Sequence, residues 1–460
     1  MSEQLSPVDR SSLAAERGPV NMAVGGLLLF EDGRGMRQEE VLERVRGRLH
    51  LVSRYRQRLQ SSAAGLANPV WVDDDGFDLG WHVRRAALPA PGDAALAEFV
   101  GHELSRRVDR SRPLWELTVI EGVGDGRIAL LAKMHHALVD GVAAVDIGTV
   151  LLDPAPEPLE ISDTGEPWEP RGYDRRRHLA RLAATPIVRA QKLLLDSAAR
   201  ALAPDPRRAA VDLRDATELL VQLARTRPSA PMTPLNAGLG PNRRFAFASA
   251  SLADLKLAGK AQGATVNDAL LAAVAGMLRR YLEAAGEPLG KPIVALVPVS
   301  VRRPGEEGGN RLSTVLVDLP VGEDDPAARI AAIHATMTEL KDSAAVRAGA
   351  LLAGATGWAP PLVSSTLARA MGGLRAFNLV VSNVPGPQQP FWLNGCRMLA
   401  VHPAVPLNPA TQGLSVGIIS YDGSVCFGLL ADRDLDPPLS VAAEGLAEAL
   451  AELRAGAGRR

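Results

Sequence analysis

The stretch Met134-His135-His136-Ala137-Leu138-Val139-Asp140-Gly141 holds the densest chemistry in the chain. Only eight histidines occur in 460 residues, and two of them are adjacent here. An imidazole titrates near neutral pH, so it can accept a proton from a hydroxyl and return it later. Such a base needs a hydrogen bond at its second nitrogen and a rigid backbone around it. Asp140 could buttress the loop by pairing with an arginine, and Gly141 permits a turn that a side chain would block. Two other uses compete. Zinc-binding histidines usually sit three or four residues apart, whereas neighbours at a strand end point to opposite faces. The chain also lacks an HExxH motif and a cysteine cluster. Two packed core histidines would leave the following Asp140-Gly141 without a reason. No convincing G-x-S-x-G elbow suggests a serine nucleophile.

These residues need a frame. Leu117 to Ile120 and Arg127 to Met134 read as strands separated by Gly122, Gly124 and Gly126. Val142 to Leu152 reads as a helix, so the histidines fall on a strand–turn–helix, a common setting for reactive groups. Val41 to Gln60 and Ala94 to Val108 carry helical apolar stripes. Farther on, Thr265 to Ala285 is a strong helix candidate with Asn267 and Asp268 in its first turn. Ile293 to Val299, Leu312 to Leu319, Asn378 to Asn383, Leu414 to Tyr421 and Ser424 to Leu430 read as strands. The layout is mixed α/β in both halves, with no short-period repeat.

Composition bounds the rest. The chain is 47% hydrophobic and 22% charged, a globular balance, and its length suggests two or three domains. A formal net charge of -1 argues against a nucleic-acid binder. Cys396 and Cys426 are too few for a disulfide framework or a zinc ribbon and fit a reducing compartment. The first residues lack the apolar core of a signal peptide, and no apolar run approaches the roughly 20 residues of a spanning helix. Prolines 154, 156, 158, 167 and 170 open a connector that prolines 228, 231, 234 and 241 close. The expected organisation is therefore an N-terminal domain over 1–153, a Pro/Arg-rich linker with helices over 154–242, and a C-terminal domain over 243–460. Within the linker, the Arg-rich segment 175–203 reads either as an amphipathic helix on anionic lipid or as a solvated helix packed across both domains.

The HHxxxDG box is similar to that of the coenzyme A-dependent acyltransferase superfamily. Further boxes narrow the resemblance: Leu5-Ser6-Pro7-Val8-Asp9-Arg10, Pro113-Leu114-Trp115-Glu116, Asn267-Asp268, Val297 through Arg302, Gly309-Asn310, and Asn378 through Asn383-Val384-Pro385-Gly386-Pro387. Together, in this order, they resemble the bacterial wax ester synthase/diacylglycerol acyltransferase family over nearly the whole chain. One departure is visible. Where the family often carries a Pro-Met-His-Val-Gly-like stretch, this chain reads Asn21-Met22-Ala23-Val24-Gly25.

The resemblance implies an α/β fold of two related chloramphenicol-acetyltransferase-like domains, each of mixed sheet plus helices, with the active site in a tunnel between them. It implies acyl-CoA as co-substrate, no cofactor and no metal, and diacylglycerol or a long-chain fatty alcohol as acceptor. His136 would be the general base, with His135, Asp140 and Gly141 supporting its loop. Arg302 would pair with Asp140. Asn267 or Asn378 would help form the substrate and oxyanion region, helix capping being the competing use of Asn267. Trp115 and Glu116 read as architectural. Apolar substrates imply a cytoplasmic protein bound peripherally to the inner membrane face or to lipid bodies. Two other readings use the same features: a condensation-type acyltransferase fed by a carrier-protein thioester or a specialised alcohol, and a non-catalytic lipid-coat protein.

Overall fold

The computed structural model of the chain describes residues 3–5, 7–33, 36–60, 69–138, 148, 150–159, 168–172, 230–300, 312–342, 377–407 and 412–457. The Arg-rich segment 175–203 and most of the helix expected over 142–152 lie outside the described residues. The N-terminal half runs β1 (Glu3–Gln4), α1 (Pro7–Ala15), β2 (Ala23–Glu31), α2 (Gln38–Arg48), β3 (Gln57–Gln60), β4 (Val70–Asp73), α3 (Leu79–His82), β5 (Val83–Ala87), α4 (Asp93–Ser105), β6 (Trp115–Gly124) and β7 (Arg127–His135). The C-terminal half runs β8 (Arg243–Ser251), α5 (Leu252–Ala261), α6 (Val266–Ala284), β9 (Ile293–Ser300), β10 (Leu312–Leu319), α7 (Pro326–Asp342), β11 (Leu379–Val384), β12 (Trp392–Leu393), β13 (Cys396–Ala404), β14 (Leu414–Tyr421), β15 (Ser424–Asp432) and α8 (Leu439–Ala457).

Two six-stranded mixed sheets carry the fold, in the orders β12-β13-β2-β7-β6-β5 and β10-β9-β11-β14-β15-β8. Period-two alternation lets each sheet bury both faces. On β7, Ile128, Leu130, Ala132 and Met134 enter one core with Val41, Val45 and Tyr55. Ala129 and Leu131 enter another with Leu96, Val100 and Leu104 of α4 and with Phe245, Cys426 and Leu430 of the second sheet. That second core joins the halves. The far face of the second sheet packs on α6, which is buried on almost every side and is covered in turn by α5, α7 and α8. The β6–β7 hairpin turns through Asp125 (φ 54) and Gly126 (φ 65), the positive-φ pair that matches the right-handed twist of two strands.

The first sheet draws strands from both sides of residue 243. β12 and β13 belong to the C-terminal half, yet β13 pairs antiparallel with β2 from Met398↔Phe30 to Ala404↔Gly25. β13 then crosses so close to the second sheet that a Cβ on Gly428 would lie 1.9 Å from the carbonyl oxygen of Pro403. Glycine is the residue that allows such backbone-to-backbone approach. The expected helix over Val41 to Gln60 is also shorter. It ends at Arg48, and Leu49–Leu51 and Ser53–Arg56 continue as two 3₁₀ turns before β3. Of the stripe Val41, Leu42, Val45, Leu49 and Val52, all but the partly buried Leu42 are buried. Tertiary contacts override it from there on: Trp115 Nε1 donates to the Tyr55 carbonyl at 2.8 Å, and β3 pairs with β4.

Candidate active site

β7 is hydrogen-bonded on both sides, to β2 and to β6, so its end is held rigidly. His135 is its last residue and His136 opens a 3₁₀ turn, His136–Leu138, whose Ala137 and Leu138 are buried. The two imidazoles therefore diverge. His135 is 0% exposed, whereas His136 is half-buried.

His135 is held by a hydrogen bond at one ring nitrogen and faces a carboxylate with the other. The Ala137 N–H donates to its Nδ1 at 3.0 Å, so Nδ1 carries a lone pair and the proton sits on Nε2. Nε2 faces Glu16 Oε2 at 3.5 Å. Glu16 is buried, and Arg110 Nη2 reaches the same oxygen at 2.5 Å while the Met22 N–H donates to the other at 3.2 Å. Burial works against the carboxylate charge, but His135, Arg110 and the Met22 N–H outweigh it and hold the Glu16 pKa at about 2, below the ordinary 4.5.

A carboxyl whose pKa is lowered by folding stabilises the protein fully above its unfolded pKa, and that contribution is lost as pH falls through the folded one. For Glu16 the window runs from 4.5 down to about 2, and the contribution is up to roughly 3 kcal/mol. In Glu16→Gln, the unfolding free energy from urea titrations should fall less between about pH 5 and 2 than in the wild type, by up to that amount. Parallel curves for the two proteins would show that folding does not lower the Glu16 pKa.

His136 is gripped by α1. Its Nδ1 lies 3.2 Å from Ser12 Oγ, and its backbone N–H donates to the Met22 carbonyl at 2.8 Å. Asp9, Ser12 and Glu16 are all buried, at helical spacing along one face of α1 and its exit. Ser12 and Glu16 thus hold one histidine each. Neither was singled out from the sequence. The readable signal was a polar stripe at positions i, i+3 and i+7 of a short N-terminal helix, directed inward.

The other expected site residues fare differently. Asp140, Gly141 and Arg302 lie outside the described residues. Asn267 is half-buried near the start of α6, and its Oδ1 accepts from Asn383 Nδ2 at 3.0 Å. It does not cap the helix: Thr265 does, in a capping box with Asp268. The Asn267–Asn383 pair joins two of the boxes noted in the sequence. Asn378 is 0% exposed, and its amide is committed to scaffolding. Its Nδ2 donates to Pro231 O and Asn236 Oδ1, each at 2.7 Å, and its Oδ1 accepts from Val294 N at 2.9 Å. Asn378, expected near the substrate, has its donors and its acceptor engaged in a clasp that fastens residues 231–236 to β9.

Trp115 stacks on His82 with ring centroids 4.4 Å apart, and Glu116 is buried near Arg84 at 3.4 Å and Lys133 at 3.8 Å. Both are architectural. Among the described residues no group of three His, Cys, Asp or Glu side chains could hold a metal ion, and no helix is long and apolar enough to cross a membrane.

Comparison with known proteins bears on this geometry. The profile of the wax ester synthase/diacylglycerol acyltransferase catalytic domain matches residues 5–270, and that of the family's C-terminal domain matches residues 308–454. A putative diacylglycerol O-acyltransferase of Mycobacterium tuberculosis is 36% identical over 99% of this chain and 100% of its own length. A probable diacylglycerol O-acyltransferase of the same species, tgs1, is 32% identical over 99% of this chain and 96% of its own. The solved wax ester synthase/diacylglycerol acyltransferase of Marinobacter aquaeolei superposes with a TM-score of 0.70 at 31% identity, over 99% of this chain and 100% of that one. A starter condensation domain of rhizomide synthetase shares the fold, with a TM-score of 0.57 at 16% identity over 99% of this chain and 94% of that one.

Proposed function

The chain belongs to the wax ester synthase/diacylglycerol acyltransferase family, and from that membership we propose that it moves a long-chain acyl group from acyl-CoA to the hydroxyl of diacylglycerol, of a long-chain alcohol, or of both. The observation that carries this reading is the His136 imidazole, half-buried at the end of a doubly paired strand with one ring nitrogen at hydrogen-bonding distance from Ser12. As the acceptor oxygen attacks the thioester carbonyl carbon, His136 takes the hydroxyl proton. The tetrahedral intermediate collapses, the carbon–sulfur bond breaks, and the imidazolium returns its proton to the departing thiolate. A thiol with a pKa near ~8.5 leaves readily, so one base suffices and no acyl-enzyme is needed.

By the family resemblance, Asp140 and Gly141 would support that base's loop and Arg302 would pair with Asp140, all three outside the described residues. Two acyltransferase domains, 1–153 and 243–460, enclose the substrates in a tunnel, and 154–242 links them. The exchange of β13 into the first sheet supports a site shared between the halves. Asn267, paired with Asn383, lies on the C-terminal side of that site. The apolar substrates place the protein on the cytoplasmic face of the membrane or on lipid bodies, as a peripheral partner. No cofactor takes part.

The test is release of free CoA thiol from palmitoyl-CoA, with dioleoylglycerol and hexadecanol as acceptors. Release that depends on either acceptor supports the reading, and the faster acceptor names the main product. No release with either acceptor, from folded protein, overturns it in favour of a carrier-protein donor or a binding role.

A further inference from the structure

We propose that Ser12 is a positioning residue for His136: it holds the ring in the tautomer whose Nε2 lone pair faces the chemistry. The inference rests on the general-base reading above. A neutral imidazole has one N–H and one lone pair, and which nitrogen acts as base depends on where the proton is kept. Ser12 Oγ sits 3.2 Å from His136 Nδ1. A hydroxyl can accept from an Nδ1–H, and in the proposed arrangement it does so, which leaves the lone pair on Nε2. Once Nε2 has taken the acceptor's proton, the ring is charged and the Nδ1–H···Oγ bond becomes charge-assisted, so it strengthens along the reaction. A carboxylate in the same place would also raise the basicity of the ring and favour imidazolium beforehand; a hydroxyl orients without adding charge.

The hydroxyl itself is well fixed. Ser12 is 5% exposed, and the Glu16 N–H closes on its carbonyl at 3.3 Å, continuing the helical bonding past α1. Glu16 in turn is anchored by Arg110 and by the Met22 N–H, while the Met22 carbonyl accepts from the His136 backbone N–H. Ring and hydroxyl are thus referenced to the same short segment, residues 12–22. A ring held this way spends less of its time in unproductive rotamers, which is a contribution to turnover and not to substrate affinity.

The experiment compares the full-length wild type with Ser12→Ala, Ser12→Thr and His136→Ala, using palmitoyl-CoA and whichever of dioleoylglycerol and hexadecanol turns over. In Ser12→Ala, kcat should fall about 10- to 50-fold while KM for both substrates changes less than about twofold. Ser12→Thr, which keeps the hydroxyl, should stay within about threefold of wild type. Wild-type kcat in Ser12→Ala overturns the proposal. So does equal loss in the alanine and threonine variants accompanied by a lower melting temperature, because the site would then be steric. The two readings separate cleanly. A fully active His136→Ala removes the general base itself, whereas an inactive His136→Ala beside an unaffected Ser12→Ala removes only the Ser12 assignment.

Discussion

His136→Ala should lose at least about 100-fold in acceptor-dependent CoA release, because positioned acid–base groups contribute roughly 10²- to 10⁴-fold. The residue is half-buried at the end of β7, and its neighbours in the 3₁₀ turn, Ala137 and Leu138, are the ones that fill the core. Truncation should therefore cost little stability, and the melting temperature should stay within a few degrees of the wild type. The loss should appear in kcat with both acceptors alike, since proton abstraction is common to both. His135→Ala is the informative contrast. That ring lies wholly inside, between the Ala137 N–H and Glu16 Oε2, so its removal should lower the melting temperature as well as activity. A stable His136→Ala with undiminished turnover would sink the general-base assignment.

The second large effect is on stability. Asp153→Ala should destabilise the fold by about 3–5 kcal/mol, the usual cost of removing one partner from a buried ion pair. Asp153 is 0% exposed and bonded to Arg44 through one carboxylate oxygen. Its other oxygen accepts from Arg48 Nη2 at 2.5 Å and from Leu159 N at 3.2 Å. Both guanidiniums are themselves buried, and burial lowers the Arg44 pKa; without the carboxylate, two cations would remain close together inside the protein. The backbone of Asp153 exchanges two hydrogen bonds with Trp392, at 2.8 and 2.9 Å, so the same residue ties α2 to a strand of the C-terminal half. Guanidinium unfolding at neutral pH measures the effect. A loss below about 1 kcal/mol would mean that the arginines regain water in the folded state.

Asp153 also marks where sequence reading stops. The run of prolines after it predicts a change in the chain and a boundary there. Nothing local announces that the boundary residue is an anchor. Apart from Leu159, these partners are more than a hundred positions away in one direction and more than two hundred in the other.

Local patterns were legible wherever a single element decides them. The β10 and β14 ranges, Leu312–Leu319 and Leu414–Tyr421, agree with the alternation and turn signals in the sequence, and α6 agrees with its apolar spacing and first-turn residues. The histidine box was legible because its residue types are scarce and closely spaced. The sequence by itself determined elements such as α6, β10 and β14, the chemistry on offer and, through its ordered boxes, the family. Only the tertiary structure decided that β13 completes the first sheet, that Asn378 is a clasp, and that Ser12 and Glu16 grip the two histidines. The physical reason is the same in each case. Helix and strand periodicity follow from backbone geometry within a few residues, but a hydrogen bond between a side chain at position 12 and a ring at position 136 exists only once packing has brought them together.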